Sequence, residues 1–227
     1  MALKLIIGNK NYSSWSLRPW IAMKATGIPF EETVIPFGAP DFKQRVGEAS
    51  GTGKVPVLID GGNRIWESLA ILEYLAEKFP DAALWPKDAA ARAHARSIAS
   101  EMHADFGALR GALPMNLSRP VIKRALTAEV EANARRIETI WTDCRARFGK
   151  GGQFLFGRYG AADAMYAPVV SRLHTYGVDV GGVARVYMAA AMALPAWREW
   201  HAAALKETWI VAEDEADWPT VHRVQVH

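Results

Sequence analysis

The sequence predicts an α/β N-terminal part followed by an all-α C-terminal part, on three observations. Short strand-like runs alternate with helical ones before Pro86, every segment after it reads helical, and the character changes only once, at Trp85-Pro86. The expected domains are therefore 1–82 and 87–227. Leu3 to Gly8 is a compact apolar run closed by glycine, read as a buried strand, and Phe30 to Ile35 is a second run of β-favouring residues. A helix lies between them. A short helix is expected around Asp41 to Glu48. Val55 to Asp60, Gly61-Gly62 and Asn63 to Trp66 then read as a hairpin with a tight glycine turn. Ser68 opens the next helix, whose apolar positions Leu69, Ile71, Leu72, Leu75 and Phe79 recur every three or four residues until Pro80. Past Pro86, Asp88 caps a long helix with an apolar stripe Ile98, Met102, Phe106, Leu109 and Leu113, which Pro114 ends or kinks. A second long helix runs from about Thr127 to Phe148, and a third from near Ala161 to about Tyr176.

Composition narrows the function. With 227 residues, half of them hydrophobic, and a mean hydropathy of -0.04, the chain reads as globular, neither disordered nor membrane-spanning. No apolar run reaches the roughly 18 to 20 residues of a membrane span, and the N-terminal run is too short for a signal peptide, so a cytoplasmic address is expected. The single cysteine, Cys144, leaves no disulfide, no thiolate metal site and no Cys-x-x-Cys pair; no metal is expected. Any thiol chemistry must use another molecule's thiol. The net charge of +3 is small and interleaved with acids, as in Arg135 and Arg136 beside Glu131 and Glu138, and near the end Glu213, Asp214, Glu215 and Asp217 are acidic. A solvated surface, not a nucleic-acid stripe, is the expectation.

Three stretches carry the chemistry. The loop Asn9 to Pro19 follows the first strand, where α/β folds place their sites. Pro19 suits a first helical turn, so Ser16 is a plausible cap, and Ser13 stands just before the helix, where hydroxyls and N–H groups can face an anion. Three serines that merely cap and turn the chain fit the spacing as well. Next, Lys54-Val55-Pro56 puts proline at a strand start; if cis, it leaves the Val55 backbone to pair with an extended peptide ligand, and if trans it only begins the strand. Last, Glu67-Ser68 at a helix start offers hydroxyl and N–H groups to a carboxylate, or is only a cap.

Taken in order, these motifs resemble the glutathione transferase family along essentially the whole chain. Ser13-Ser14-Trp15-Ser16-Leu17-Arg18 resembles the serine motif SSxSxR of zeta-class members, Lys54-Val55-Pro56 the cis-proline site, and Glu67-Ser68 the pair that holds the γ-glutamyl group. The resemblance implies a thioredoxin-like domain followed by a helical domain, glutathione as co-substrate, a small electrophile as second substrate, a homodimer and a role in detoxification. It makes Ser13 the donor that stabilises the glutathione thiolate, with Ser14 or Tyr12 as alternatives and the Trp15 N–H as a helper. It also leaves open a glutathione-dependent isomerase or dehalogenase, or a binding protein without turnover. Trp15 stands where the zeta-class motif usually has cysteine, which argues against thiol exchange through the enzyme. Gly160-Ala161-Ala162-Asp163 resembles the family's capping box without its hydroxyl, so Asp163 is read as structural. His103 and Arg110, within a stripe with Ala99, Gly107 and Gly111, are candidates for the second-substrate pocket or else are simply solvated. Cys144 is expected to be an inert, partly buried thiol. Ile98, Met102, Phe106, Leu109, Leu113, Ile137 and Trp141 cannot all be assigned from sequence to the chain's own core, and some are expected to serve a partner.

Overall fold

The computed structural model describes residues 2–216; Asp217 and the remainder of the expected second domain lie outside the described residues. The first half runs β1 (Leu3–Ile7), α1 (Ser14–Thr26), β2 (Phe30–Val34), α2 (Phe42–Ala49), β3 (Val57–Asp60), β4 (Asn63–Trp66) and α3 (Ser68–Lys78), the order expected. The strands form one mixed sheet in the order β2-β1-β3-β4, with β1 parallel to β2 and antiparallel to β3. Alternation along β1 decides what covers each face. Leu3, Leu5 and Ile7 face a core shared with Leu17, Trp20 and Ile21 of α1 and Ile71, Leu72 and Leu75 of α3. Ile6 turns the other way, with Val57, onto Val46 and Ala49 of α2.

The helical half contains α4 (Ala89–Ala104), α5 (Gly107–Ala112), α6 (Ala128–Phe148), α7 (Ala161–Thr175), α8 (Gly182–Ala193) and α9 (Pro195–Ala204). Helix α7 is buried along almost its whole length and packs on α1, α4 and α8, so the hydrophobic core runs without a break from the sheet into the helices. At the expected cap Asp88 the carboxylate accepts from the Ala91 N–H, and α6 is capped likewise by the Thr127 hydroxyl, which accepts from the Val130 N–H. Among the described residues, no helix is long and apolar enough to cross a membrane.

Four expectations are corrected. Helix α1 begins at Ser14 with Ser13 at its cap position, so Ser16 is not a cap and Pro19 lies inside the helix. The N–H that Pro19 lacks would have met the Trp15 carbonyl; packing of α1 on both halves outweighs that lost bond. The stripe from Ile98 to Leu113 is not one helix, because Phe106 takes a left-handed backbone conformation (φ 61°) that separates α4 from α5 well before Pro114. Side-chain anchoring explains the restart, since the Leu109 N–H donates to the Asn133 side chain of α6. The seven apolar residues thought to exceed the chain's needs are all buried within the chain itself, so none of them is left over for a partner. Cys144, expected to be partly buried, is fully buried, and desolvation pushes its thiol up to about 12, which keeps it inert.

The missing hydroxyl of the capping box has a steric cause. A Cβ on residue 160 would lie 2.7 Å from the Leu84 carbonyl oxygen, the same oxygen that accepts from the Ala161 N–H. Glycine lets the linker approach this closely. The other half of the box is present, with Asp163 accepting from the Gly160 N–H at 2.9 Å and also from the Leu155 N–H at 3.0 Å.

Candidate functional site

Eight of the eleven residues singled out above line one cleft of about 230 Å³: Trp15, Lys54, Val55, Pro56, Glu67, Ser68, His103 and Arg110. They arrive from the start of α1, the loop before β3, the start of α3, and helices α4 and α5. Larger cavities exist elsewhere, one of about 380 Å³ beside Trp85 and Tyr159 and lined in part by the capping-box residues, but none of them is lined by the three stretches expected to carry chemistry. Chemistry rather than size selects the site. The Val55-Pro56 peptide bond is cis and sits in the cleft wall. Glu67 holds a positive φ (65°) directly before Ser68, a conformation that costs a non-glycine residue energy and that clusters at ligand sites. Ser68 is buried, and its hydroxyl makes only a weak 3.9 Å contact to the Met165 sulfur.

Ser13, Ser14 and Tyr12 do not line the cleft, although all three are buried just behind Trp15 in sequence. The Ser13 hydroxyl donates to Ser16 Oγ at 2.7 Å, and Ser16 Oγ also accepts from the Gly8 N–H at 3.1 Å. Ser16 is thus held by Gly8, the residue after β1, whether or not Ser13 turns its proton elsewhere. Tyr12 is committed differently, its hydroxyl donating to Glu215 near the C-terminal end of the described chain.

Around Trp15 the cleft is cationic. The Arg18 guanidinium lies 3.7 Å from the Trp15 ring centre, Arg110 lies 5.0 Å from it, and the His103 ring meets its edge at 5.3 Å. Glu67 stands 3.6 Å from His103 Nε2. Arg18 is fully buried; its Nε donates to the Met165 carbonyl at 3.0 Å, while Nη1 has no hydrogen-bond partner. Burial, then repulsion from Arg172 and Arg110, holds its pKa well below the usual arginine range. Arg172, also buried, is lowered to about 10 mainly by desolvation. Sequence reasoning missed Thr52 and Trp66 in the cleft wall and the role of Arg18 behind it. The signal for Arg18 was its place as the final residue of the SSxSxR-like motif.

A sheet-bearing domain with a cis proline and a helix N-terminus facing one cleft, joined to a helical bundle, is the architecture of a thioredoxin-like domain extended by an all-α domain. The chain belongs to the glutathione S-transferase family: the models for its N-terminal and C-terminal domains match residues 12–78 and 127–203. It is 27% identical to the maleylacetoacetate isomerase of Pseudomonas aeruginosa, over 91% of this chain and 99% of that one. A probable maleylacetoacetate isomerase of Caenorhabditis elegans is 41% identical, but the alignment spans only 38% of this chain and 40% of that protein. Among solved structures, a holo maleyl pyruvate isomerase, a bacterial zeta-class glutathione S-transferase, superposes with a TM-score of 0.68 at 25% identity, covering 88% of this chain and 97% of the other.

Proposed function

We propose that this chain is a glutathione transferase that activates the glutathione thiol through the Ser13 hydroxyl for attack on a small electrophile. The observation that carries the reading is the convergence of Lys54, Val55, Pro56, Glu67 and Ser68 on one cleft with Trp15, the residue two places after Ser13. The Val55 backbone would pair with the extended tripeptide, and Ser68 with the α3 N-terminus would hold the γ-glutamyl carboxylate. For this, Ser13, which does not itself line the cleft, must gain access to the sulfur and turn its proton from Ser16 towards it. The proposed domains, 1–82 for glutathione and 87–227 for the second substrate, meet at this cleft, and the proposed address is cytoplasmic.

One observation favours a second reading, a glutathione-dependent isomerase acting on a maleyl-type diacid. Lys54 and Arg110 line the cleft, and the buried Arg18 guanidinium lies against Trp15 behind it, a cationic surround suited to carboxylates on the second substrate. A panel of neutral electrophiles, halo acids and maleyl acids assayed with glutathione tests both readings. Acidic substrates are expected to turn over at least tenfold faster than neutral ones of similar size. Turnover of neutral electrophiles alone removes the isomerase reading, and glutathione binding without turnover of any substrate removes both.

The assembly we propose is a homodimer of about 50 kDa, twice the 25.0 kDa chain. With the apolar stripe of α4 and α5 internal, the proposal rests on the family architecture and not on spare core residues. Sedimentation at micromolar concentration is expected to show the dimer; a single species of chain mass removes it.

A further inference from the structure

The first loop was expected to turn its free N–H groups towards a ligand anion. Two of them already hold one, supplied by the chain itself. Glu207, just beyond α9, accepts the Lys10 N–H on Oε1 at 2.6 Å and the Asn11 N–H on Oε2 at 2.9 Å. Neighbouring amides gripping one carboxylate in this way form an anion-binding concavity. The same loop is held at other points: Trp200 Nε1 donates to the Lys10 carbonyl, and the Asn11 side chain is locked between Asn116 and Ser118. Further along, Glu215 takes the Tyr12 hydroxyl. The segment after α9 is thus tied by two carboxylates to the loop that ends at Ser13.

We propose that Glu207 is a positioning residue for the reaction: its carboxylate sets the shape of the loop 9–13 and thereby the place from which Ser13 meets the thiol. This rests on the serine reading above. The argument is one of hydrogen-bond accounting. The Tyr12 and Ser13 N–H groups both return to the Asn9 carbonyl, closing the turn and leaving the Lys10 and Asn11 N–H groups outside it. Lys10 and Asn11 are both buried, so water has little access to replace a lost acceptor. Without the carboxylate the turn must open to hydrate those groups, and Ser13, bonded into the same turn, moves with it. Glutamine has the same shape but one acceptor oxygen and one NH2 group, so in the same rotamer it satisfies one of the two amides and sets a donor against the other.

Glu207→Gln is therefore expected to raise the thiol pKa of bound glutathione by about half a unit to one unit and to lower kcat at neutral pH about three- to tenfold, with activity recovering at higher pH. Glutathione affinity should stay within about twofold, since Lys54 to Pro56, Glu67 and Ser68 stand on other elements. A residue important for stability alone would lower Tm without moving the thiol pKa. An unchanged thiol pKa overturns the proposal, and so does a lowered one, which would mean that the Glu207 charge rather than its grip acts on the thiolate. Amide exchange at Lys10 and Asn11 should quicken in Glu207→Gln and stay slow in Ser13→Ala; unchanged exchange in Glu207→Gln also overturns it. The Ser13→Ala thiol pKa separates the two failures: if it moves while that of Glu207→Gln does not, only the Glu207 role is lost. Glu207→Asp, which keeps the charge on a shorter arm, gives the same readings should the glutamine variant not fold.

Discussion

Ser13→Ala is expected to lower turnover at neutral pH by tenfold or more while leaving glutathione affinity nearly unchanged. A free thiol has a pKa near 8.5, so only a few per cent is thiolate at neutral pH. A hydroxyl donor beside a helix N-terminus lowers that pKa by about one to two units, and Ser13 stands at the cap position of α1. Removing the hydroxyl returns the thiol towards its free value. The residues proposed to grip the tripeptide are on the loop before β3 and at the start of α3, which the change leaves untouched. Thiolate absorbance of bound glutathione, titrated with pH, checks this directly. The contrast is Ser68→Ala, which should weaken binding far more than it shifts the thiol pKa. If Ser14→Ala has a larger effect than Ser13→Ala, the donor is one residue further on.

Asp163→Ala is expected to cost about 2 to 4 kcal/mol of stability, lowering Tm by roughly 5 to 15 °C. The carboxylate is buried at the start of α7, the helix that α1, α4 and α8 all pack against, and it accepts the N–H groups of Leu155 and Gly160. Alanine leaves both donors without an acceptor. Burial pushes the Asp163 carboxyl up to about 6, against the lowering effect of those two backbone bonds. Between about pH 4 and 6 the folded chain then keeps a proton that the unfolded chain has released. The contribution of Asp163 is largest below that window and falls as pH rises through it, so the gap between wild type and variant should be wider at pH 4 than at pH 7. Urea titrations at the two pH values measure it; a gap that widens with pH would show that the ionised form is the one the fold prefers.

Local signals made much of this legible. Compact apolar and β-favouring runs marked the strands, three- and four-residue spacing marked α3, and Asp88 announced its helix because a cap bonds within three residues. For the same reason the cleft motifs Lys54-Val55-Pro56 and Glu67-Ser68 could be named in advance. Where the reading failed, a distant contact overruled a local rule. Pro19 signalled a first turn, yet α1 starts at Ser14 because both halves of the molecule pack against it. An unbroken apolar stripe signalled one helix, yet Asn133, from α6, holds the start of a separate α5.

The sequence by itself determined the order of elements, the change from α/β to all-α at Pro86, the lack of an internal thiol pair, and the motifs that any glutathione reading requires. All of these are properties of residue type and short spacing, which physical chemistry fixes within a turn or a strand pair. Only the tertiary structure decided which of those residues share a cleft, that Arg18 lies buried with an unpartnered nitrogen beside Trp15, that the stripe of α4 and α5 belongs to the chain's own core, and that Glu207 fills the amides of the first loop. The Glu207 contact spans 197 positions of sequence. A carboxylate near the end of a chain carries no local mark of the amides it will meet, because the pairing is set by the packing of α9 on α1.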